Sequence, residues 1–139
     1  MANCVFCRIV AREIPAALVY EDELTIAFMD AGQVNPGHVL VAAKGHAETL
    51  FDLDDAQAAA LLRAAVRVAR AIRSAFQPQG LSVYQANGKA AWQSVFHYHM
   101  HLLPRHEGDG MTLCWPAKNP PREKLAEYAT ALRESLRRS

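Results

Sequence analysis

Three histidines alternate with apolar residues in one short segment, and this is the part of the sequence best suited to chemistry. His97, His99 and His101 follow one another at intervals of two residues. In a β-strand this spacing places the three imidazoles on one face, with successive rings about 6.6 Å apart. Burying three imidazoles side by side is costly unless each ring has a partner. The pattern therefore predicts a functional site.

Two kinds of chemistry use such a row of imidazoles. Histidines at i and i+2 are a common pair of zinc ligands. Alternatively, a neutral imidazole nitrogen attacks an electrophile while its neighbours stabilise charge. Because the ordinary imidazole pKa is about 6.5, the neutral nucleophile is available at pH 7. The residue types alone leave both chemistries open.

Cysteines form a second group with possible chemistry. Cys4 and Cys7 make a C-x-x-C pair, and Cys114 stands alone. An odd number of cysteines does not fit a small secreted disulfide scaffold. The first residues lack the pattern of a signal peptide, and no long apolar run predicts a transmembrane helix. We therefore expect a cytoplasmic protein whose C-x-x-C is a metal clip, a redox pair or two free thiols.

Composition places further bounds on the class of protein. The 139 residues are 51% apolar and 21% charged, with a formal net charge of +1. This length and composition predict a single domain over residues 1–139 with its own core. The near-neutral charge disfavours a nucleic-acid or membrane-surface partner.

Hydrophobic periodicity indicates which elements position the histidines. One long helix is predicted over 52–76, capped by Asp52 or Asp54, with an apolar face and a solvated row of arginines. A last amphipathic helix follows Pro120 and Pro121. Strands are predicted at 17–20, 25–29, 38–43, 81–85 and 94–103, the third of them central and the last ended by Pro104. This order predicts an α+β fold with an antiparallel sheet of about five strands.

The histidine segment resembles the signature of the histidine triad (HIT) family of nucleotide hydrolases and transferases. Other stretches occur in the family's order, and the resemblance covers nearly the whole chain. Among these are Cys4–Ile9, Glu13–Pro15, Tyr20–Asp22, Ala27–Asp30, Pro36–Val41 and Lys44–His46. The chain is most similar to the histidine triad nucleotide-binding branch, whose small homodimers bind purine nucleotides and cleave phosphoramidates. The resemblance thus implies a homodimer with a purine nucleotide or nucleotide conjugate as its ligand.

The resemblance also implies the catalytic roles. His99 matches the nucleophile, which attacks the α-phosphorus to form a nucleotidyl-imidazole intermediate that water hydrolyses. His101 matches the residue that contacts the phosphate, Ser94 matches a hydroxyl that assists the leaving group, and His97 completes the triad. A backbone carbonyl near the nucleophile is expected to fix its tautomer.

Further positions match the family's nucleotide pocket. Asp30 matches the carboxylate that accepts the ribose hydroxyls, and His38 matches another pocket histidine. Gln93 and Asn87 match residues of the loop before the triad. The apolar pocket around the base would consist of Val5, Phe6, Ile9, Ile14 and Phe28, for which plain core packing is an equal alternative.

In the subset of the family that carries C-x-x-C, the matching positions imply a structural zinc. Cys4, Cys7, His46 and His97 would supply two thiolates and two imidazoles, a set that suits tetrahedral zinc. The reaction itself is expected to need no magnesium. Free thiols, and less so a redox pair, remain alternatives for Cys4 and Cys7.

Two other functions compete with this interpretation. One is a purine nucleotide sensor without catalysis, and the other is a hydrolase in which His97, His99 and His101 all bind one zinc. The sequence also departs from the family at Trp92, where glycine is usual. A bulky ring so near the phosphate is expected to change leaving-group preference more than the fold.

Overall fold

The computed structural model describes residues 3–139, which form two compact units, one ending at Asp109 and one running from Gly110 to Ser139. The prediction of a single domain over 1–139 stays a prediction. The elements of the first unit are α1 (Val5–Val10), β1 (Leu18–Glu21), β2 (Thr25–Met29), β3 (Val39–Ala43), α2 (Asp55–Phe76), β4 (Gly80–Tyr84) and β5 (His99–Arg105). Short 3₁₀ turns occur at Leu50–Asp52 and Lys89–Ala91.

The five strands form one antiparallel sheet in the order β1-β2-β3-β5-β4. This confirms the predicted α+β class and strand number. β3 is the middle strand and all five of its residues are buried, as its unbroken apolar run predicts. Its pairing with β5 places His99 opposite Ala42 and His101 opposite Leu40.

The two faces of the sheet pack against different helices. One face packs on the apolar side of α2, and Tyr98, Met100 and Leu102 belong to that core. The other face holds a smaller cluster that includes Phe6 and Ile9 of α1. Since side chains alternate along a strand, His99 and His101 lie on the face that α1 covers.

Helix α2 follows its predicted pattern closely. Asp54 is the N-cap, and its carboxylate accepts from the backbone N–H of Gln57 at 2.8 Å in a capping box. The apolar side is buried and the arginine row is solvated, as expected. Phe76 departs from the predicted face: its ring is 47% exposed and lies against Gly37 instead of in the core.

The strand that carries the histidines is displaced from its prediction of 94–103. β5 begins at His99, because residues 95–98 do not continue the ladder, so His97 precedes the strand. Pro104 does not end it. β3 begins at Val39, opposite Leu102, so Pro104 lies beyond this pairing. Pro104 therefore pairs only with β4, through Leu81, where a missing N–H is tolerated. Helix α1 has only six residues, and the sequence patterns do not predict it.

The second unit contains α3 (Arg122–Arg138), the predicted C-terminal helix. The leucines of its predicted apolar face, Leu125, Leu132 and Leu136, are all exposed. From residue 3 onward, no helix is both long and apolar enough to cross a membrane.

Candidate active site

A cleft of about 450 Å³ lies on the α1 side of the sheet, beside the histidines. Ligand clefts in proteins have volumes of this order. Seven of the residues predicted from the sequence line it: Phe6, Ile9, Phe28, Asp30, Ser94, His99 and His101. Ile14 lines a smaller neighbouring cleft, and Val5 is exposed outside both. The structure thus brings together the predicted nucleophile, its phosphate contact and the ribose acid.

His99 is buried with one ring nitrogen occupied. Its Nδ1 lies 2.7 Å from the carbonyl oxygen of His97. A carbonyl only accepts, so Nδ1 carries the proton and Nε2 of the neutral ring keeps its lone pair. The Phe6 ring packs against the imidazole in a T-shaped arrangement, with centroids 4.9 Å apart. His99 therefore has the tautomer of a nitrogen nucleophile.

His101 is set in the opposite tautomer by a relay that starts at the backbone. The N–H of Val34 lies 3.3 Å from His38 Nδ1, which must accept. His38 Nε2 then carries the proton and donates to His101 Nδ1 at 2.9 Å. His101 in its neutral form consequently carries its proton on Nε2. The adjacent rings of His99 and His101 thus offer a lone pair and an N–H donor.

Burial keeps these rings neutral at pH 7. Desolvation is the main cause that lowers the pKa of His38 and of His99, and the Asp30 carboxylate opposes it in both. Desolvation, with the nearby imidazoles His99 and His38, lowers the pKa of His101 to about 4. The Asp30 carboxylate, 3.8 Å from His101 Nδ1, only partly offsets that cost. The nucleophile requires the neutral form of its ring, and His101 in its neutral form still donates through Nε2.

Asp30 stands at the rim of the cleft with capacity to accept further hydrogen bonds. One carboxylate oxygen accepts from the N–H of Gly32 at 2.7 Å. The other lies 3.5 Å from His38 Nε2, too far for a good hydrogen bond. Among the described residues that line the cleft, none is a lysine or an arginine. The cleft is therefore neutral apart from one acidic group.

Gln93 and Asn87 support the loop that carries Ser94 and are not among the cleft-lining residues. The buried amide of Gln93 accepts from the N–H of Gly88 at 2.7 Å and donates to the carbonyl of Glu48 at 2.6 Å. Asn87 Oδ1 accepts from the N–H of Leu50 at 2.7 Å. Both side chains form hydrogen bonds with backbone groups of the protein, and these bonds hold the loop that carries Ser94.

A separate cluster joins the start of α1 to His97, in the segment before β5. The Cys4 Sγ lies 3.3 Å and the Cys7 Sγ 3.5 Å from His97 Nδ1, and Cys7 Sγ is 3.3 Å from His46 Nδ1. His97 Nε2 donates to the carbonyl of Ala43 at 2.6 Å, which leaves the lone pair on Nδ1, facing the sulfurs. The four predicted ligands therefore converge, with the imidazole of His97 in the form that binds metals.

The distances in this cluster fit a tetrahedral metal. With zinc–sulfur bonds of about 2.3 Å and zinc–nitrogen bonds of about 2.0 Å, a tetrahedral angle separates sulfur from nitrogen by about 3.5 Å. All four ligand atoms lie within 4.8 Å of one another. Two thiolates and two imidazoles are also the donor set that structural zinc uses.

Asp30, His38 and His101 are also close enough to hold a cation, within 4.8 Å of one another. A neutral His38 that binds metal through Nε2 would carry its proton on Nδ1. The N–H of Val34 faces that nitrogen at 3.3 Å, and two donors would then oppose each other. The hydrogen-bond relay fits this group better than a metal.

The ring nitrogens of the three triad histidines have different partners. His97 faces the cysteines, His99 donates to a backbone carbonyl, and His101 accepts from His38. Neither cluster of possible metal ligands contains His99. The geometry therefore does not support the alternative in which all three rings bind one zinc.

Tyr84 is a neighbour of the site that the sequence patterns do not reveal. It pairs with His101 across β4 and β5, and the two ring centroids are 5.7 Å apart. The sequence predicts a strand at 81–85 that contains Tyr84, but periodicity does not give the register between two strands. The pairing of Tyr84 with His101 therefore has no signal in the sequence.

Comparisons with known proteins agree with this geometry. The HIT domain family model matches residues 11–108. A solved HIT family member from Bacillus subtilis superposes with a TM-score of 0.90 at 43% identity, covering 95% of this chain and 96% of that one. An adenosine 5′-monophosphoramidase of Saccharomyces cerevisiae is 35% identical over 136 residues, 97% of this chain and 84% of the yeast protein.

A third similar protein bears on the metal cluster. The solved structure of a zinc-bound histidine triad family protein from Mycobacterium smegmatis has a TM-score of 0.75 at 34% identity, and covers 94% of this chain and 98% of that one. The order of the strands, the triad beside the cleft and the match over residues 11–108 lead to one conclusion. The chain belongs to the HIT domain family.

Proposed function

We propose that the protein is a nucleotidyl hydrolase or transferase that cleaves purine nucleoside phosphoramidates, or related nucleotide conjugates, at the α-phosphorus. The observation that carries this proposal is the hydrogen bond from His99 Nδ1 to the carbonyl of His97 at 2.7 Å. It leaves Nε2 of a neutral imidazole as a free nucleophile in a cleft of nucleotide size. The relationship to a yeast adenosine 5′-monophosphoramidase supports the same reaction.

The reaction proceeds in two balanced steps. His99 Nε2 attacks the α-phosphorus, a P–N bond to the imidazole forms, and the bond to the leaving group breaks. The leaving amine takes up a proton from solvent through Ser94, which carries the only side-chain hydroxyl among the described residues that line the cleft. Water then attacks the same phosphorus and gives up one proton to solvent, and the P–N bond to His99 breaks. Neutral His99 is restored and a nucleoside monophosphate is released.

His101 stabilises charge during both steps. The relay from Val34 through His38 directs its Nδ1 lone pair to His38 and keeps the proton on Nε2. That N–H is available to a phosphate oxygen that gains negative charge in the transition state. A fixed donor of this kind acts without a metal ion, and we propose that turnover needs no magnesium.

The charge of the cleft favours one type of substrate. Of the described lining residues, only Asp30 carries a formal charge at pH 7. A substrate with a single anionic phosphate meets less repulsion there than a triphosphate, for which the lining offers no cation. Asp30 would accept the ribose hydroxyls, while Phe6, Ile9 and Phe28 pack around the base.

Cys4, Cys7, His46 and His97 would hold a structural zinc. The sulfur–nitrogen distances of 3.3 to 3.5 Å and the Nδ1 lone pair of His97 support this assignment. When bound, the ion cross-links the start of α1 to the segment before β5. His97 then has a second role, since its carbonyl sets the tautomer of His99.

Assembly and location complete the proposal. Exposed apolar side chains occur on the outer side of α2 and on the edge strand β4, among them Leu62, Val66 and Val83. A homodimer would cover such a face. We propose a cytoplasmic homodimer whose 139 residues act as one domain and whose net charge of +1 gives no attraction to nucleic acids or membranes.

Turnover of a substrate panel tests this function. Nucleoside phosphoramidates, dinucleoside polyphosphates and nucleotide sugars are supplied with adenine or guanine to wild-type protein and to His99→Ala, without magnesium. We expect wild-type protein to release the nucleoside monophosphate from phosphoramidates and the variant to release none. If both proteins bind nucleotide equally and neither turns over any conjugate, the protein is a nucleotide sensor instead.

A further inference from the structure

Trp92 combines two unusual features next to the candidate active site. Its side chain is 86% exposed. Its backbone has a φ of +68°, in the left-handed region that side chains other than glycine and asparagine seldom adopt. Strained backbone in this sense concentrates at ligand-binding positions, where the surrounding structure holds it. Both features indicate that Trp92 has a role other than packing in the core.

The turn beneath Trp92 is firmly held. The Trp92 N–H donates to the carbonyl of Lys89 at 3.0 Å, and the Ala91 N–H donates to that of Gly88 at 3.1 Å. The buried Gln93 amide ties the same turn to Gly88 and to the chain near residue 48. The indole is therefore presented to solvent from a fixed base.

Contacts of Tyr84 attach this turn to the catalytic side of the cleft. The Tyr84 ring lies 5.7 Å from the His101 ring, and its hydroxyl donates to the carbonyl of Ala91 at 3.2 Å. On the other side of Trp92, Ser94 lines the cleft two residues along the chain. Trp92 thus lies in the chain between Ala91, which is bonded to the Tyr84 hydroxyl beside His101, and Ser94 of the cleft lining. Trp92 is not itself among the residues that line the nucleotide cleft.

We propose that Trp92, supported by Tyr84, is an aromatic platform for the leaving group, and that it selects conjugates whose leaving group is an amine that carries an aromatic ring. This inference rests on the proposed function. An exposed indole stacks on a flat ring and gains little from a small polar amine. By analogy with bases on aromatic side chains, loss of such a stack lowers efficiency about tenfold.

Paired substrates test the platform. The ratio of kcat/KM for an adenosine phosphoramidate of an arylmethylamine to that of the unsubstituted phosphoramidate is measured in wild-type protein, Trp92→Gly and Trp92→Phe. We expect the ratio to fall about tenfold in Trp92→Gly and to be largely restored in Trp92→Phe. Tyr128→Ala, which removes an exposed aromatic ring from α3, is the control and should keep the wild-type ratio.

Measuring stability together with the substrate ratio distinguishes a platform from a tryptophan with a merely structural role. Glycine relieves the positive φ, so Trp92→Gly should raise the melting temperature by about 2–4 °C while it lowers the substrate ratio. An unchanged ratio in Trp92→Gly, with both substrates turned over, overturns the platform. So does a fall in the ratio that Tyr128→Ala reproduces.

A binding measurement separates this inference from the proposed function. In a Trp115→Phe background, Trp92 is the only tryptophan of the chain. The arylmethylamine conjugate should then quench its fluorescence, while the unsubstituted phosphoramidate should not. If wild-type protein turns over neither substrate, the proposed function fails, yet selective quenching still supports the platform. Equal quenching by both ligands, or none by either, overturns it.

Discussion

The neutral state of His101 makes the stability of the protein depend on pH in a direction that follows from its environment. Its pKa is about 4 in the folded protein and about 6.5 in an unfolded chain. Between these values the unfolded chain binds more protons, so stability rises with pH and is lost as the pH falls from about 6.5 towards about 4. At pH 4.5, the loss from this one group is about 2.5 kcal/mol relative to pH 7. The side chain is only 25% exposed, and solvent screening is correspondingly limited.

Denaturant unfolding of wild-type protein and His101→Gln at several pH values measures this effect. His38, His97 and His99 also have lowered pKa values and act in the same direction, so the quantity to compare is the difference between the two proteins. The free energy of unfolding should fall by about 2.5 kcal/mol less in His101→Gln between pH 7 and 4.5. His106→Gln controls for the removal of an imidazole as such. Equal pH dependence in wild type and His101→Gln would refute the neutral buried ring.

Three further predictions concern the relay, the metal cluster and the loop before His38. His38→Leu removes the donor to His101 Nδ1 and should lower kcat/KM about tenfold. His38→Gln can still donate and should lower kcat/KM less. Equal losses in the two variants would argue against the relay. Chelation, or Cys4→Ser, should lower the melting temperature, with activity lost only as the fold loosens; lost turnover at an unchanged melting temperature would indicate a catalytic metal. Gly37→Ala should cost about 2 kcal/mol or more of unfolding free energy in denaturant titration, because a Cβ there would lie 2.8 Å from the Phe76 ring at a φ of +97°. Phe76→Ala should relieve the packing part of that cost, and a stable Gly37→Ala protein would contradict the contact.

Much of the fold follows from local patterns that burial enforces. The unbroken apolar run of β3 identifies a strand covered on both faces, and the 3.6-residue period of α2 separates its buried side from its arginine row. Period-two alternation likewise places His99 and His101 opposite Met100 and Leu102. These patterns are visible in the sequence because the periodicity of a single helix or strand determines which of its side chains face the core.

Features set by contacts between elements could not be predicted in this way. Helix α1 has six residues, too few for a period to be visible, and Cys4 caps it. β5 starts at His99, just after the segment in which His97 Nδ1 faces the cysteine sulfurs, and this long-range contact has no local pattern. The relay runs from Val34 through His38 to His101, which is 67 residues after Val34 in the sequence. No local spacing of residues predicts such a contact.

Mass spectrometry of peptides from protein stopped during turnover tests the nucleophile itself. The reaction with a purine nucleoside phosphoramidate is quenched in alkali, because P–N bonds to imidazole hydrolyse in acid. We predict that one nucleotidyl group is attached to His99, in an amount that rises within the first turnover, and that His99→Ala carries none. A nucleotidyl group on another residue, or turnover by His99→Ala at the wild-type rate, would contradict the role given to the middle histidine.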